Sequence, residues 1–184
     1  MTYAHSAQSV VEVAVNAEAL FDLLDDQARL GAHMERPSVM MMGGRMTYAF
    51  DEAQGRAVGS VIKRGGNILW LRLSVEEVVV ERVRPLRKIW ETRGNPHLLV
   101  IGDYRMGFDI SPAGSRQSLR VFIAYDHPSS LGGRILATLF GPMYARWCVK
   151  RMTDDALRLF GDVSAGFKST APGSEGNGKG LECS

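Results

Sequence analysis

Apolar and polar residues alternate in seven separate stretches of the chain, and the period changes only in a few places. The clearest stretch is Val100-Ile101-Gly102-Asp103-Tyr104-Arg105-Met106-Gly107-Phe108-Asp109-Ile110. Val100, Tyr104, Met106, Phe108 and Ile110 share one parity, and Asp103, Arg105 and Asp109 hold the other. A period of two over this length predicts a long strand with one apolar and one wet face. The same pattern predicts strands over 8–15, 46–51, 57–64, 68–81, 87–94, 100–111 and 118–126. Turn residues punctuate them at Gln54-Gly55, Gly65-Gly66-Asn67, Pro85, Gly94-Asn95-Pro96 and Pro112 to Ser115. Seven strands in antiparallel succession make one large curved sheet.

Helical spacing appears in three places. Asn16 offers a cap for Ala17 to Leu24, whose apolar face is Leu20, Phe21, Leu23 and Leu24. Asp25 and Asp26 can cap a second short helix running to about His33. Leu131 to Phe160 has a core stripe of Ile135, Leu139, Ala145, Val149, Met152, Ala156 and Leu159. A second stripe, Leu136, Phe140, Met143 and Trp147, occupies only the first half. Gly141-Pro142 predicts a kink or break there, because proline lacks the helical donor and crowds the preceding turn.

At 184 residues the chain suits one α+β domain with a sizeable core. The reading divides it into a flexible N-terminus (1–7), a domain (8–163) and a disordered tail (164–184) of Gly, Ser and Lys. Seventeen Arg against five Lys give a formal charge of only +2. The arginines are scattered among acids, and Glu76, Glu77 and Glu81 accompany the densest group, Arg82, Arg84, Arg87 and Lys88. With no recognition motif beside them, nucleic acid is not an implied partner. Cys148 and Cys183 form neither a metal spacing nor a disulfide framework. No leader-like pattern or membrane-spanning run appears, so the cytoplasm is the expected location.

The order strand, two short helices, six strands and a long helix resembles the helix-grip fold of the START-like superfamily (SRPBCC proteins). That group includes birch-pollen-allergen-like proteins, polyketide cyclases and coenzyme Q-binding proteins. "VVEVAVNAEALFDLLDD" resembles its opening strand and helix, "AVGSVIKR" its third strand, and "VRPLRKIWETRG" the pair that follows. "YARWCVKRMTDDALRLF" is similar to its closing helix. The resemblance spans about residues 8 to 162. It implies a hydrophobic cavity between sheet and long helix, gripped at its mouth by loops, and supplies no universal catalytic signature.

Strand parity then marks candidate ligand-lining residues. These are Met46, Tyr48 and Phe50, then Tyr104, Met106 and Phe108, then Ile123 and Tyr125, with Phe140, Met143 and Trp147 from the long helix. Aromatic and thioether side chains suit a surface that accommodates a variable partner. Each tyrosine is either a polar handle for a ligand or a phenol satisfied by its neighbours. Trp70 and Trp90 are further candidates, although Trp70 shares parity with Arg72 and Ser74. His33 is either a polar handle at the cavity mouth or a surface histidine at a helix end. His97 and His127 fall in turns beside prolines, and His5 in the N-terminus. No histidine pair has metal spacing, and no cofactor motif is present. Met40-Met41-Met42, with Met34 nearby, is either an adaptable lip or core packing. Asp103, Arg105 and Asp109, opposite residues such as Arg120 and Asp126, read as a solvated charge ladder.

No Ser-His-Asp set, phosphate loop or carboxylate pair emerges, so no catalytic residue is assigned. Three functions stay open. The first is a carrier or sequestering protein for a hydrophobic or aromatic small molecule of lipid, polyketide or isoprenoid type. The second is a polyketide cyclase or dehydrase-like enzyme, which works largely by positioning. The third is an interaction module using the Leu136, Phe140, Met143 and Trp147 stripe. Polar side chains converging in the cavity would favour the enzyme.

Overall fold

A computed structural model describes residues 2–26, 45–68 and 71–166, with side chains at all but 45, 46, 68, 71 and 161–166. Seven antiparallel strands form one sheet in the order β1-β7-β6-β5-β4-β3-β2. They are β1 (His5–Val13), β2 (Arg45–Phe50), β3 (Val61–Ile68), β4 (Leu71–Val83), β5 (Arg87–His97), β6 (Tyr104–Ala113) and β7 (Arg116–Tyr125). Helix α1 (Ala17–Asp25) follows β1, and α2 (Leu131–Gly166) closes the chain. This is the helix-grip arrangement. The first and last strands pair, so β1 and β2 lie at opposite edges. The segment holding α1 therefore joins the two edges of the sheet.

Local chemistry explains the elements. Asn16 caps α1 as its position predicts, its Oδ1 accepting from the Ala19 N–H at 2.7 Å. The buried face is Leu20, Phe21, Leu23 and Leu24, which packs on the concave side of the sheet. At the other end of α1, Lys88 donates to the Asp25 carbonyl (3.1 Å) and carboxylate (2.6 Å). A cation there meets the negative end of the helix dipole. The second short helix, with His33, Met34 and Met40 to Met42, lies outside the described residues, as does Trp70.

Several predicted boundaries move. β1 opens at His5, three residues before the expected start, because Ala7 and His5 continue the ladder opposite Ile123 and Tyr125. The chain between β2 and β3 is a turn that lasts until Ser60, so β3 begins later than predicted. Asp51 clamps this turn, accepting from Ser60 Oγ (2.6 Å) and the Val61 N–H (2.7 Å). Gly65-Gly66-Asn67 is strand, not turn, because each residue finds a ladder partner in Ser74, Leu73 or Arg72. Gly94-Asn95-Pro96 likewise stays within β5, where it forms a bulge: Arg93 pairs with Glu76 and His97 with Ser74. His97 is thus a strand residue. Pro112 belongs to β6, and the turn is confined to Gly114 and Ser115.

The strand predicted from Val100 starts only at Tyr104. Residues 100–103 turn toward the end of β7, where Gly102 N–H donates to Asp126 O and Asp126 N–H to Asp103 O, both 2.8 Å. The convex face carries the expected charge ladder. Asp109 joins Arg87 (2.8 Å) and Arg120 (2.9 Å), and Arg105 stands 3.5 Å from Glu91. Gly107 interrupts that face for a steric reason. A Cβ there would meet Lys88 O at 2.5 Å and the Ile89 and Phe122 side chains at 3.0 Å.

The long helix corrects two expectations. It is continuous through Pro142, so no break falls there, and it extends to Gly166. Its core stripe is also rotated. Ala145, Val149, Met152 and Ala156 are buried as expected, but Ile135, Leu139 and Leu159 are 66%, 67% and 51% exposed. Small residues face the sheet instead: Ala137 and Gly141 continue the line from Ala145. A Cβ on Gly141 would lie 3.1 Å from Val100 O and 3.7 Å from the Tyr125 ring, so close approach selects the small side chain. A hydrogen bond between Ser9 Oγ and Thr153 Oγ1 (2.9 Å) ties β1 to the second half of the helix. No described helix is long and apolar enough to cross a membrane.

Candidate functional site

Ladder registers place the concave face residue by residue. Tyr48 lies opposite Arg64, Arg64 opposite Val75, and Glu77 opposite Thr92. Trp90 lies opposite Met106, Met106 opposite Ile123, and Tyr104 opposite Tyr125. Helix α2 packs mainly on β1 and β7. The wall formed by β3, β4 and β5 therefore takes little part in packing against the helix backbone.

Within this apolar wall sits a buried polar cluster. The Tyr104 hydroxyl donates to Glu77 Oε1 in a short hydrogen bond. Glu77 Oε2 stands 2.7 Å from Arg64 Nε, an ion pair close in distance but not aligned as a hydrogen bond. Glu77 is 0% exposed. Arg64 also lies 5.3 Å over the Tyr48 ring, which stacks on Phe50 with centroids 6.1 Å apart. Tyr144 and Cys148, one helical turn apart on α2, complete the group and interact electrostatically with each other and with Arg64. Four strands and the long helix thus converge on one spot.

The electrostatics follow from burial. Burial opposes the charge on Arg64, but Glu77 and then the tyrosines outweigh it and raise its pKa. Burial, reinforced by Glu77, pushes the Tyr104 phenol well above its ordinary range. Cys148 raises Tyr144, with burial adding to the effect. Burial pushes the Cys148 thiol up to about 12, so it stays protonated and poorly nucleophilic at neutral pH. Tyr104 is accordingly a neutral donor, with a carboxylate behind it and a guanidinium behind that.

A further donor lies beside the cluster. Trp90 is 1% exposed, and its indole N–H has no hydrogen-bond partner among the described residues. A buried indole N–H usually finds one. Where β5 bulges, an open cleft of about 390 Å³ reaches Arg64, with Val75, Arg93, Gly94 and Asn95 also in its lining.

The predicted residues distribute unevenly around this site. Tyr104 and Tyr48 belong to the cluster, and Met106, Ile123 and Tyr125 are buried on the same concave face. Phe108 fills core between Phe21 (5.5 Å) and Trp90 (6.5 Å). Phe50 is half-buried at the sheet edge. Trp147 is half-buried beside Tyr144, whereas Phe140 and Met143 are 45% and 51% exposed and stand apart from the cluster. Met46 has no described side chain, and His33 lies outside the described residues. His127 is half-buried and stacks on His5 at 4.3 Å, so neither of these histidines is a free turn or terminal residue.

Glu77, Arg64, Tyr144 and Cys148 were not among the predicted site residues. Glu76, Glu77 and Glu81 are weighed there only as acids beside the arginines, although Glu77 shares parity with Leu73, Val75 and Val79. An acid on the apolar parity of a strand is the signal that could have found it. Lys88 carried the same signal beside Trp90. It is 0% exposed and ion-paired to Asp25, which Arg82 also holds at 2.8 Å. Among the described residues no cluster of His, Cys, Asp or Glu could hold a metal ion.

No family model matches the sequence, and no curated protein matches it. Solved structures do match in fold. Norcoclaurine synthase from Thalictrum flavum aligns with TM-score 0.57 at 14% identity, covering 84% of this chain and 85% of its own. Ara h 8.0201 aligns with TM-score 0.56 at 10% identity, covering 84% and 98%. A protein from Arthrobacter aurescens aligns with TM-score 0.58 at 10% identity, covering 85% and 86%. At such identities the likeness is one of fold, and the residues of the site speak for themselves.

Proposed function

From a chain with the helix-grip fold of the START-like superfamily, we propose a protein that binds a hydrophobic small molecule beneath its long helix. The ligand carries at least one hydrogen-bonding group, a carbonyl or a hydroxyl. One observation carries this reading. In the otherwise apolar concave wall, Tyr104, Glu77 and Arg64 form a buried polar cluster, and the neighbouring Trp90 N–H lacks a partner among the described residues. An apolar pocket with a few fixed polar groups is the usual form of a small-molecule site. Met106, Val75 and Ile123 supply the apolar contact, and Trp90 supplies a donor for the ligand's acceptor. The protein acts as a carrier or sequestering protein for molecules of lipid, polyketide or isoprenoid type.

The same cluster favours a second reading, an enzyme of the cyclase or dehydrase type. The Tyr104 hydroxyl would turn from Glu77 to donate a hydrogen bond to a ligand carbonyl and polarise it, while Arg64 keeps the Glu77 charge compensated. Norcoclaurine synthase, one of the fold neighbours, is an enzyme by name. Native mass spectrometry of the protein as purified tests the binding reading through a retained small molecule. Titration with apolar fluorescent probes, with and without a carbonyl, extends it. Trp90→Phe should weaken the carbonyl probe about tenfold and leave the hydrocarbon probe unchanged. Absence of binding by either probe, with the fold intact, would overturn the reading.

A further inference from the structure

We propose that the exposed face of the first half of α2 docks on an anionic lipid bilayer. The helix is sided in an unusual way. Ala137, Gly141 and Ala145, all small, face the sheet. The opposite side carries Leu131, Ile135, Leu136, Leu139, Phe140 and Met143, between 42% and 81% exposed. Their spacing, mostly in steps of three or four, gathers them into one continuous surface over three turns. A soluble domain that leaves such a patch uncovered uses it for interaction.

Charge selects the occupant. Between Asp126 and Asp154 the chain contains no Asp or Glu, while Arg134, Arg146, Lys150 and Arg151 fall within the same span. Arg134 and Arg146 are exposed, Arg146 on the apolar side and Arg134 at its edge, where it shares a cleft with His5 and His127. Lys150 and Arg151 pair with Asp154 (2.9 Å) and Asp155 (3.4 Å), just beyond the apolar surface. Along α2 the apolar residues thus have no acidic neighbour before Asp154, and the unpaired charge beside them is basic. A bilayer with acidic headgroups presents hydrocarbon under a uniform negative surface, which this combination matches. A second copy of the chain matches less well, because two such faces on a symmetry axis would bring their arginines together. The helix would lie in the interface plane without spanning the bilayer. The proposal does not depend on the ligand site, since none of these residues belongs to the buried cluster.

The test is co-sedimentation with vesicles of phosphatidylcholine alone and of phosphatidylcholine mixed with phosphatidylglycerol. The full chain should pellet with the mixed vesicles, weakly with phosphatidylcholine, and less as salt rises. Arg134→Glu with Arg146→Glu should weaken binding to mixed vesicles about tenfold or more, and Leu139→Ser with Phe140→Ser should do the same. All four positions are exposed, and circular dichroism with a thermal melt shows that each variant is folded. Equal binding by parent and variants, or no binding by the parent, overturns the proposal. A parent that sediments as a dimer, becomes monomeric on Leu139→Ser and ignores vesicles assigns the face to self-association instead.

Discussion

Tyr104 and Glu77 lie 27 positions apart on strands that are not neighbours, yet the phenol of one donates directly to the carboxylate of the other. The contact spans β5 and is possible only because the sheet curves. It also holds Glu77 toward Arg64, so three side chains from β3, β4 and β6 act as one unit.

That unit makes the first prediction. Tyr104→Phe removes one donor from a buried carboxylate and should cost about 1–3 kcal/mol. Glu77→Gln removes the buried carboxylate 2.7 Å from Arg64 and should cost about 3–5 kcal/mol. Urea denaturation of the two variants checks both values and their order. The reverse order would show that the Glu77 charge matters less to the fold than the Tyr104 hydrogen bond.

A second prediction concerns acid. Burial alone would raise the Asp25 carboxyl, but hydrogen bonds from Arg82 and Lys88 outweigh it and hold its pKa below the ordinary value. A depressed carboxylate stabilises the fold above its unfolded-state pKa, and that contribution fades as pH falls through the folded value. The Lys88 pKa is also lowered, by its own burial despite Asp25, and for a lysine that direction works against the charged form rather than for it. The pair therefore protects at neutral pH through Asp25 rather than through Lys88. Melting temperature should drop as pH falls below about 4. Asp25→Asn combined with Lys88→Met should flatten that slope.

Two glycines should respond with opposite signs. Gly107→Ala places a Cβ 2.5 Å from the backbone oxygen of Lys88, a contact that a paired strand cannot relieve without moving. A loss of about 1–3 kcal/mol is expected. Gly132 lies in α2, and a methyl group added there would meet nothing within 4 Å. Gly132→Ala should therefore stabilise by up to about 1 kcal/mol. Differential scanning fluorimetry reads both shifts.

Cys148 should behave as a protected thiol. With its pKa pushed up to about 12 by burial, it should resist a maleimide at pH 8 in the folded protein and react once urea unfolds the chain. A Cys183→Ser background isolates the signal. Rapid labelling of the native protein would mean that the space beneath α2 opens to solvent near Tyr144.

Local pattern was enough for much of the fold. Strict alternation through Tyr104, Met106, Phe108 and Ile110 fixes which face of β6 is buried, because a one-residue slip would expose every one of those side chains. Asn16 marks the start of α1 for an equally local reason, the reach of its side chain to the Ala19 N–H. The seven strands and the long final helix follow from signals of this kind.

Pairing and packing decided the rest. Gly65-Gly66-Asn67 has the composition of a turn, but ladder bonds to β4 hold it as strand. The side of α2 that faces the sheet depends on how near its axis comes to Tyr125 and Val100, and that closeness favours Ala137, Gly141 and Ala145 over the larger Ile135 and Leu139. A periodic stripe cannot reveal this, since it records hydrophobicity and not available space. The cluster of Arg64, Glu77 and Tyr104 was hidden for a related reason. Parity marks Glu77 as inward-facing, but which partners compensate its charge depends on how sheet curvature brings Arg64 and Tyr104 within reach.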